Sequence, residues 1–377
     1  MREYFLLDED IVFLNHGSFG ACPMPVFDVY QQWQRELERQ PVAFLGRRFD
    51  ALMDEARGRL AAYLCAASEN VVFVPNATVG INTVARSLNL QPGDEVLTTD
   101  HEYGAIDYTW QYVCEQTGAR LVRQPVPIPL TNADTVIEQL WNGVTPRTKV
   151  IAISHITSPT ALIFPGAEIC RRAREAGILT IVDGAHAPGQ IPVDLEAIGA
   201  DFYSGNCHKW MCAPKGAGFL YVRPEHHSHV VPLVISWGWL PDSTLASRSQ
   251  WQGTRDIAAY LSVPAAIDFQ DMHHWSGVQA ACHTLAVEAR RRIHTLTGVP
   301  EIAPKSMFAQ MFTVPLPTDD ILRLKTRLYD EFRVEAPAIQ WNNQPMLRVS
   351  VQAYNTQHDI DVLLEALAAT VDRGYTG

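Results

Sequence analysis

The chain has 377 residues, 47% of them hydrophobic, and a formal net charge of -11 at pH 7. This length favours a large domain with a smaller one beside it. The acidic balance and the lack of a lysine or arginine stripe argue against a nucleic-acid partner, and no stretch approaches 18 uninterrupted apolar residues.

The first residues and the cysteines predict the compartment. Residues 1–10 carry acids where a signal peptide would have a basic and then an apolar region. The seven cysteines are an odd number and widely scattered, which indicates reduced thiols rather than a disulfide framework. We therefore expect a soluble, cytoplasmic protein that does not associate with a membrane.

Helices are predicted ahead of the first strand, and a sheet after it. Pro23 and Pro25 favour a helix that opens at Val26, and apolar residues recur every four positions from 52 to 64. From residue 71 onward, strand-like apolar runs alternate with helical patterns, which is the signature of a parallel sheet covered by helices. The runs are 71–74, 95–99, 120–122, 149–153, 178–182, 200–203 and 218–222, and the helical patterns are 78–88, 105–116, 135–141 and 168–176.

The order of elements changes after about residue 265. The pattern there predicts a long helix over 285–296, a strand at 311–314, a helix at 319–332, a strand at 346–351 and a helix over 360–371. We therefore predict an α/β fold with a seven-stranded, mainly parallel sheet and helices on both faces. The predicted units are an N-terminal segment of residues 1–20, a large domain of residues 21–265 and a small C-terminal α+β domain of residues 266–377.

Two of the predicted strands end near residues that suit one cofactor. Asp183 closes the run 178–182, and Lys209 follows the run 200–203. A protonated pyridine nitrogen needs a fixed anion beside it, and an aldehyde cofactor needs a lysine that holds it as a Schiff base. An aspartate after a mostly apolar strand would cost several kcal/mol if it were buried without a partner, and a cationic ring supplies that partner. The pair predicts a pyridoxal phosphate site.

The sequence also offers candidates for the residues that bind the cofactor's phosphate and for the lysine that carries it. Residues 73–82 place a strand end, a turn and a helix start in succession, with Thr78 near the helix N-terminus. Backbone N–H groups and a hydroxyl there attract an anion, although a threonine at a helix start is ordinarily only a cap. Among the five lysines the choice narrows to Lys209 or Lys215, and Lys215 lies in a turn rich in proline and glycine that is typical of a solvated loop.

These motifs resemble a known family. The segments 14–20, 76–82 and 100–105, with those around Asp183 and Lys209, resemble the class V branch of the fold-type I pyridoxal phosphate enzymes. That branch includes aminotransferases, cysteine desulfurases and isopenicillin N epimerase, and the first and third segments look most like the epimerase and its relatives. The resemblance implies the fold-type I transferase architecture, pyridoxal 5'-phosphate as cofactor, an amino acid as small-molecule substrate and a homodimer.

The resemblance also implies the cofactor contacts. Lys209 would carry the cofactor, Asp183 would pair with the ring nitrogen, and Tyr103 would stack on the ring. His186 is expected to be catalytic together with Lys209 and Asp183, and it stands where many relatives have glutamine. Ser158 stands where many have asparagine. Contacts to the phosphate are implied for the Ala77 backbone, Thr78, Asn206 and His208, and for Gly253 and Thr254 from a neighbouring subunit.

Further residues are implied for the substrate. Arg348 matches the family's arginine that clamps the substrate α-carboxylate with two hydrogen bonds. Asn15 and His16 would line the substrate side. Either Arg47 or Arg48 would meet a second carboxylate.

All reactions of this family begin when Lys209 removes a Cα proton, and the ring stabilises the resulting quinonoid. Epimerisation then requires a second acid, for which Tyr103, His16 or a bound water are candidates. Transamination protonates the cofactor carbon instead, and a β-eliminating C–S lyase expels a leaving group. Cysteine desulfuration requires a nucleophilic cysteine on a C-terminal loop, and no cysteine occurs after Cys282.

We therefore predict an isopenicillin N epimerase-like enzyme, with a C–S lyase or an aminotransferase as alternatives on the same scaffold. A non-catalytic protein that binds pyridoxal phosphate is an alternative from another class. A nicotinamide enzyme is disfavoured because no G-x-G-x-x-G follows the first strand. The histidine clusters at 226–229 and 273–274 lack a completing acid or thiol, so we predict no metal site.

Overall fold

Strands and helices alternate through residues 1–370, the part of the chain that a computed structural model describes. The strands are β1 Val12–Phe13, β2 Val71–Val74, β3 Glu95–Thr99, β4 Arg120–Gln124, β5 Thr148–Ser154, β6 Leu179–Gly184, β7 Phe202–Asn206, β8 Gly218–Val222, β9 Met311–Pro315, β10 Val334–Glu335, β11 Ala338–Trp341 and β12 Gln344–Ser350. The helices are α1 His16–Phe19, α2 Met24–Arg39, α3 Phe49–Tyr63, α4 Ala77–Ser87, α5 Gly104–Thr117, α6 Ala133–Trp141, α7 Gly166–Glu175, α8 Leu195–Ile198, α9 Leu245–Gln250, α10 Ala258–Leu261, α11 Val263–Met272, α12 Trp275–Thr297, α13 Ile321–Phe332 and α14 Gln357–Thr370. The predicted helix end at Val371 lies outside the described residues.

The largest sheet has the order β2-β8-β7-β6-β5-β3-β4. Its pairs are parallel except those of β8, which runs antiparallel to both β2 and β7. Each of the seven predicted runs overlaps one of these strands, although the run 200–203 shares only two residues with β7. The predicted α/β class with a seven-stranded, mainly parallel sheet is therefore confirmed.

Both faces of this sheet are covered. Alternate side chains of a strand point to opposite faces, so Val72 packs in a core with α4 and α5 while its neighbour Phe73 packs with α3 and α7. All four residues of β2 are consequently buried. Burial on both faces explains why these strands form continuous apolar runs in the sequence.

The C-terminal part contains a second, antiparallel sheet of order β11-β12-β9, and α12, α13 and α14 share its core. The N-terminal segment joins this part, because β1 pairs in parallel with β10. The proposed domain limit at residue 265 falls inside α11. None of the helices in residues 1–370 is long and apolar enough to cross a membrane.

One edge of the large sheet collects polar side chains. The strands β3, β5, β6 and β7 are parallel, and β2 shares their direction because it is antiparallel to β8, as β7 is. Their carboxyl ends therefore meet at the same edge. Ligands of open α/β sheets bind in the crevice outside these ends.

Candidate active site

A cavity of about 210 Å³ opens over this carboxyl edge, between the large sheet and the N-terminal segment. Its walls come from the loops that follow five different strands. The cavity brings together nine of the predicted site residues, namely Ala77, Thr78, Tyr103, Ser158, Asp183, His186, Asn206, His208 and Lys209. No other lysine of the described chain lines it.

Asp183 lies in β6, one residue before its end, and its side chain faces this cavity. One carboxylate oxygen accepts a hydrogen bond of 2.9 Å from the Ala185 backbone N–H. Burial raises the pKa of Asp183, while this backbone bond and the charge of Lys209 counteract the rise. A cationic partner placed in the cavity would therefore stabilise the ionised carboxylate.

Lys209 lies three residues beyond the end of β7, and its Nζ lies 3.2 Å from His186 Nε2. The other ring nitrogen of His186 accepts a hydrogen bond of 3.3 Å from the Trp210 indole. An indole N–H can only donate, so the proton of the neutral imidazole resides on Nε2 and points at Lys209. The lysine must accept this proton's hydrogen bond, which requires a neutral amine.

The electrostatics of this pair agree with its geometry. Burial, followed by the charge of Arg348, lowers the pKa of Lys209 to about 7. Burial, followed by the charges of Lys209 and Arg348, holds the pKa of His186 well below its ordinary value. At neutral pH, Lys209 is thus close to the point at which half of its amines carry a lone pair.

The start of α4 forms an anion site. The Asn76 side chain accepts from the Val79 N–H at 3.0 Å and caps the helix, and the Ala77 N–H donates to Asn206 Oδ1 at 2.8 Å. Among residues 1–370, nothing accepts from the Thr78 N–H or bonds to its hydroxyl. Two donors at a helix N-terminus are therefore free for a phosphate. The Ala77 N–H, predicted to bind the phosphate, already has a partner in Asn206.

His208 lies beside this site with one ring nitrogen fixed. Its Nδ1 donates to the Ala217 carbonyl at 2.9 Å. Burial lowers the pKa of His208 to about 4, so the ring is neutral at pH 7 in this environment. An incoming phosphate would supply the negative charge that favours its protonated form.

Arg348 lies behind two hydroxyls of the cavity wall. Its guanidinium donates to the Ser158 carbonyl at 2.8 Å, to the Ser158 hydroxyl at 3.0 Å and to the Ser18 hydroxyl at 2.9 Å. Its buried Nε has no partner in the described chain. Burial lowers the pKa of Arg348 to about 10, which still leaves the group charged at neutral pH. Arg348 itself does not line the cavity, so its unpartnered Nε lies behind the wall that Ser158 and Ser18 form.

Asn15 and His16 do not lie where the resemblance implied. Asn15 donates to Glu335 Oε1 at 2.9 Å. His16 is fully buried, with Nδ1 bonded to the Tyr354 hydroxyl and Nε2 to the Lys209 carbonyl, each at 3.0 Å. Neither residue lines the cavity, but Asn15 also accepts a hydrogen bond from the hydroxyl of the lining residue Ser18.

The comparisons with known proteins agree with this geometry. A sequence profile described as "Aminotransferase class-V" matches residues 22–363. The chain belongs to the aminotransferase class-V family. Enzymes of this family depend on pyridoxal phosphate, and the predicted family, enzyme class and cofactor are confirmed.

Two relatives and one solved structure illustrate the range of the class-V family. The chain is 37% identical to isopenicillin N epimerase of Amycolatopsis lactamdurans, over 97% of this chain and 96% of that protein. It is 29% identical to putative L-cysteine desulfhydrase 1 of Oryza sativa subsp. japonica, over 96% and 84% respectively. A structure of C-DES, with glycine covalently linked to its pyridoxal phosphate cofactor, matches the fold with a TM-score of 0.85 at 20% identity, over 98% and 99% of the two chains.

The cavity fits the class-V cofactor. Asp183 offers the buried anion that a protonated pyridine nitrogen needs, and Lys209 offers a neutral amine for an aldehyde. The free donors of Thr78 suit a phosphate. These three groups lie along β6, β7 and the start of α4, so a single flat molecule can reach all of them.

Gly253 and Thr254 are not on the wall of this chain's own cavity, and neither are Arg47 and Arg48. Arg48 pairs with Glu36 on the surface. The two phosphate contacts implied for 253 and 254 are consequently contacts to a neighbouring subunit's cavity or to none. Arg48 lines a separate cavity together with Arg35 and Arg39.

The sequence did not single out several residues of the class-V cavity. Ser154 ends β5, and the rule that strand ends carry the site would have found it. Ser18 and Phe19 lie inside the 14–20 motif and line the cavity. Glu102 does not line the cavity itself but is buried next to it, with its carboxyl group bonded to the Thr99 hydroxyl and to that of the cavity residue Ser154 at 2.6 Å each.

The expectation that no acid accompanies the histidine cluster at 226–229 is wrong, because Glu225 directly precedes His226 and the fold brings Asp201 beside it. His226 lies with Asp201 and Glu225 in one group of possible metal ligands. Arg223 pairs with both carboxylates, at 2.7 Å to Asp201. The arginine already neutralises much of this charge, so the group is an ion-pair network.

Proposed function

We propose that the protein is a pyridoxal phosphate-dependent epimerase of the isopenicillin N epimerase type, which inverts the Cα of an amino acid or aminoacyl side chain. The observation that carries the proposal is the position of Lys209, whose Nζ lies 3.2 Å from His186 Nε2 in the cavity that also contains Asp183. The 37% identity to an isopenicillin N epimerase over nearly the whole length supports it.

The proposal gives each residue a part in one step. The bound cofactor supplies an electron sink for the negative charge that develops at Cα. Asp183 holds the ring nitrogen in its protonated form, and Lys209 carries the cofactor and then takes the Cα proton at Nζ. Arg348 orients the substrate by its α-carboxylate. Burial of these groups excludes water from the proton transfer.

A homodimer is part of the proposal. Gly253 and Thr254 lie away from the cavity of their own chain, and the preceding segment 231–240 exposes several large apolar side chains, including Ile235 and Trp237. Exposed apolar patches of this kind mark protein–protein contacts. A twofold dimer would cover the segment and bring Thr254 to the partner's phosphate site.

A C–S lyase acting on a cysteine-type substrate is the second candidate. Support comes from the relative named as a putative L-cysteine desulfhydrase, which is 29% identical over 96% of this chain. The first proton transfer is the same in both reactions. Only the fate of the product separates them, because a lyase releases sulfide and an epimerase returns the amino acid.

The test is Cα-hydrogen exchange in deuterated water across a panel of amino acids. Product chirality, keto acid and sulfide are followed in the same reaction. We expect deuterium at Cα and formation of the opposite configuration without keto acid or sulfide, and no exchange in Lys209→Ala. Release of sulfide with loss of the amino acid would favour the lyase, and a keto acid alone would favour a transaminase.

A further inference from the structure

Epimerisation requires a proton donor on each face of Cα. Lys209 serves one face, and the sequence left Tyr103, His16 or a bound water as candidates for the other. The structure distinguishes between the two side chains, because Tyr103 lines the cavity and His16 does not.

His16 is unsuited to the task. Its Nε2 lies 3.0 Å from the Lys209 carbonyl oxygen and 3.2 Å from the Gln352 side-chain nitrogen. Its Nδ1 is hydrogen-bonded to the Tyr354 hydroxyl at 3.0 Å. Both nitrogens are engaged in a buried position beneath Lys209, which leaves none for the substrate.

Tyr103, in contrast, has a side chain that is accessible from the cavity. It lines the cavity, its side chain is 48% exposed, and its hydroxyl bonds to no other residue within 1–370. It is the residue before α5 and follows β3, whereas Lys209 follows β7. The order β7-β6-β5-β3 separates the two residues by three strand spacings, about 14 Å at the edge of the sheet.

A flat group held at Asp183 of β6 would therefore have Lys209 on one flank and Tyr103 on the other. The phenol of Tyr103 thus approaches a substrate in this cavity from the β3 side, whereas Lys209 approaches it from the β7 side.

We propose that Tyr103 is the catalytic acid of the second face, a role that rests on the proposed epimerase function. In one direction, Lys209 Nζ takes the Cα proton and the Tyr103 O–H gives its proton to the other face of Cα. In the reverse direction, the phenolate takes the Cα proton and the ammonium of Lys209 returns one. The half-exposed phenol and the lysine then exchange protons with solvent, so each cycle balances without an oxidant or reductant.

The test compares Tyr103→Phe with the wild-type holoenzyme, using each enantiomer of a substrate separately in deuterated water. Phenylalanine keeps the aromatic ring, so we expect pyridoxal phosphate affinity to stay within about threefold. Exchange of the enantiomer whose proton Lys209 takes should persist. Exchange of the other enantiomer and net epimerisation should fall by about 10²-fold or more, the usual contribution of a general acid.

Tyr108→Phe is the matched control, because Tyr108 is an exposed tyrosine of the same helix that does not line the cavity. It should behave as wild type. Unchanged epimerisation in Tyr103→Phe, or an equal loss of exchange for both enantiomers, would overturn the role of Tyr103. If the wild-type enzyme forms no product of opposite configuration, the epimerase function itself fails, and the two failures are thereby distinguished.

Discussion

At the scale of single residues, an indole determines the protonation of the lysine. Trp210 donates to His186, and this fixes the imidazole proton toward Lys209. Without the indole, His186 can carry its proton on Nδ1 and present a lone pair to the lysine. The ammonium form of Lys209 then gains an acceptor, so its pKa rises.

Trp210→Phe should accordingly raise the pKa of Lys209 by about one unit from its value near 7. The cofactor-free variant should bind pyridoxal phosphate several-fold more slowly at pH 7 and recover at pH 9. The rate of binding against pH is the measurement. Trp275→Phe is the control, because that buried indole donates to Gly189 instead. A pH profile that matches the wild type would refute this account of the tautomer.

Glu102 is a second residue whose environment predicts a pH effect. Its carboxyl group is fully buried, and burial raises its pKa to about 8, with the nearby Asp183 charge acting in the same direction. Ser154, which bonds to Glu102, is paired with Asp183 across β5 and β6. Two buried carboxyl groups thus share one neighbourhood, and Glu102 keeps its proton at neutral pH.

The raised pKa favours the folded state at low pH and loses this effect as the pH rises. Between pH 4.5 and 8 the unfolded chain ionises Glu102 while the folded chain does not, so the free energy of unfolding falls. Glu102→Gln cannot titrate, and its cofactor-free stability relative to wild type should increase by a few kcal/mol from pH 5 to pH 8. Urea unfolding of both proteins at each pH measures the difference. A difference that is constant with pH would contradict the assignment.

At the scale of elements, the packing of α4 on the sheet determines where Thr78 lies. A Cβ at Gly80 would overlap the Ser204 hydroxyl of β7, which is itself buried and bonded to the Phe219 carbonyl. Only glycine lets the helix approach this strand so closely. The short distance between α4 and β7 also allows Asn206 to bond to the Ala77 N–H.

Gly80→Ala should therefore destabilise the protein by about 1–3 kcal/mol, the range for overpacking in a core. It should also weaken pyridoxal phosphate binding, because displacement of α4 moves the Thr78 donors. Gly58→Ala is the matched control in α3, where a Cβ has nothing within 4 Å. That control should stabilise the protein by about 0.5–1 kcal/mol, since alanine suits a helix better than glycine. Thermal unfolding and cofactor titration of both variants test the pair.

Strands were predictable from the sequence where all of their residues are buried. The strands β2, β3 and β8 have the predicted bounds, because both faces of the sheet are covered and every residue of these strands is buried. The strand β11 was missed, since its four residues mix buried and partly exposed positions and lie at the edge of the small sheet. Edge strands leave a weaker pattern in the sequence.

The site was predictable to the extent that strand ends determine it. Asp183 and Lys209 follow apolar runs, and the sheet brings those ends together. The position of His16 could not be predicted, because its partners Tyr354 and the Lys209 carbonyl come from distant parts of the chain. A motif places a residue near a site but does not state which way its side chain points.

At the scale of the whole molecule, the proposed dimer makes a geometric prediction. Thr254 of one chain would complete the phosphate site of its partner, and the partner's own Lys209 would carry the cofactor in that site. Thr254→Ala should weaken pyridoxal phosphate binding by roughly tenfold or more, since hydrogen bonds to charged groups contribute about 1.5–3 kcal/mol. Lys209→Ala should abolish turnover. The Thr254→Ala homodimer is therefore impaired in cofactor binding, and the Lys209→Ala homodimer in turnover.

A heterodimer of these two variants tests the arrangement directly. If Thr254 acts across the interface, the site that keeps Lys209 obtains an intact Thr254 from the Lys209→Ala chain. The heterodimer then has one complete site. Such heterodimers, purified with two different tags, should show wild-type cofactor affinity at that site and about half the turnover of the wild-type dimer. Placing both substitutions in one chain beside a wild-type chain should leave the remaining lysine site weak, because its threonine is then missing. If instead that second heterodimer binds the cofactor normally, Thr254 does not serve the partner's site.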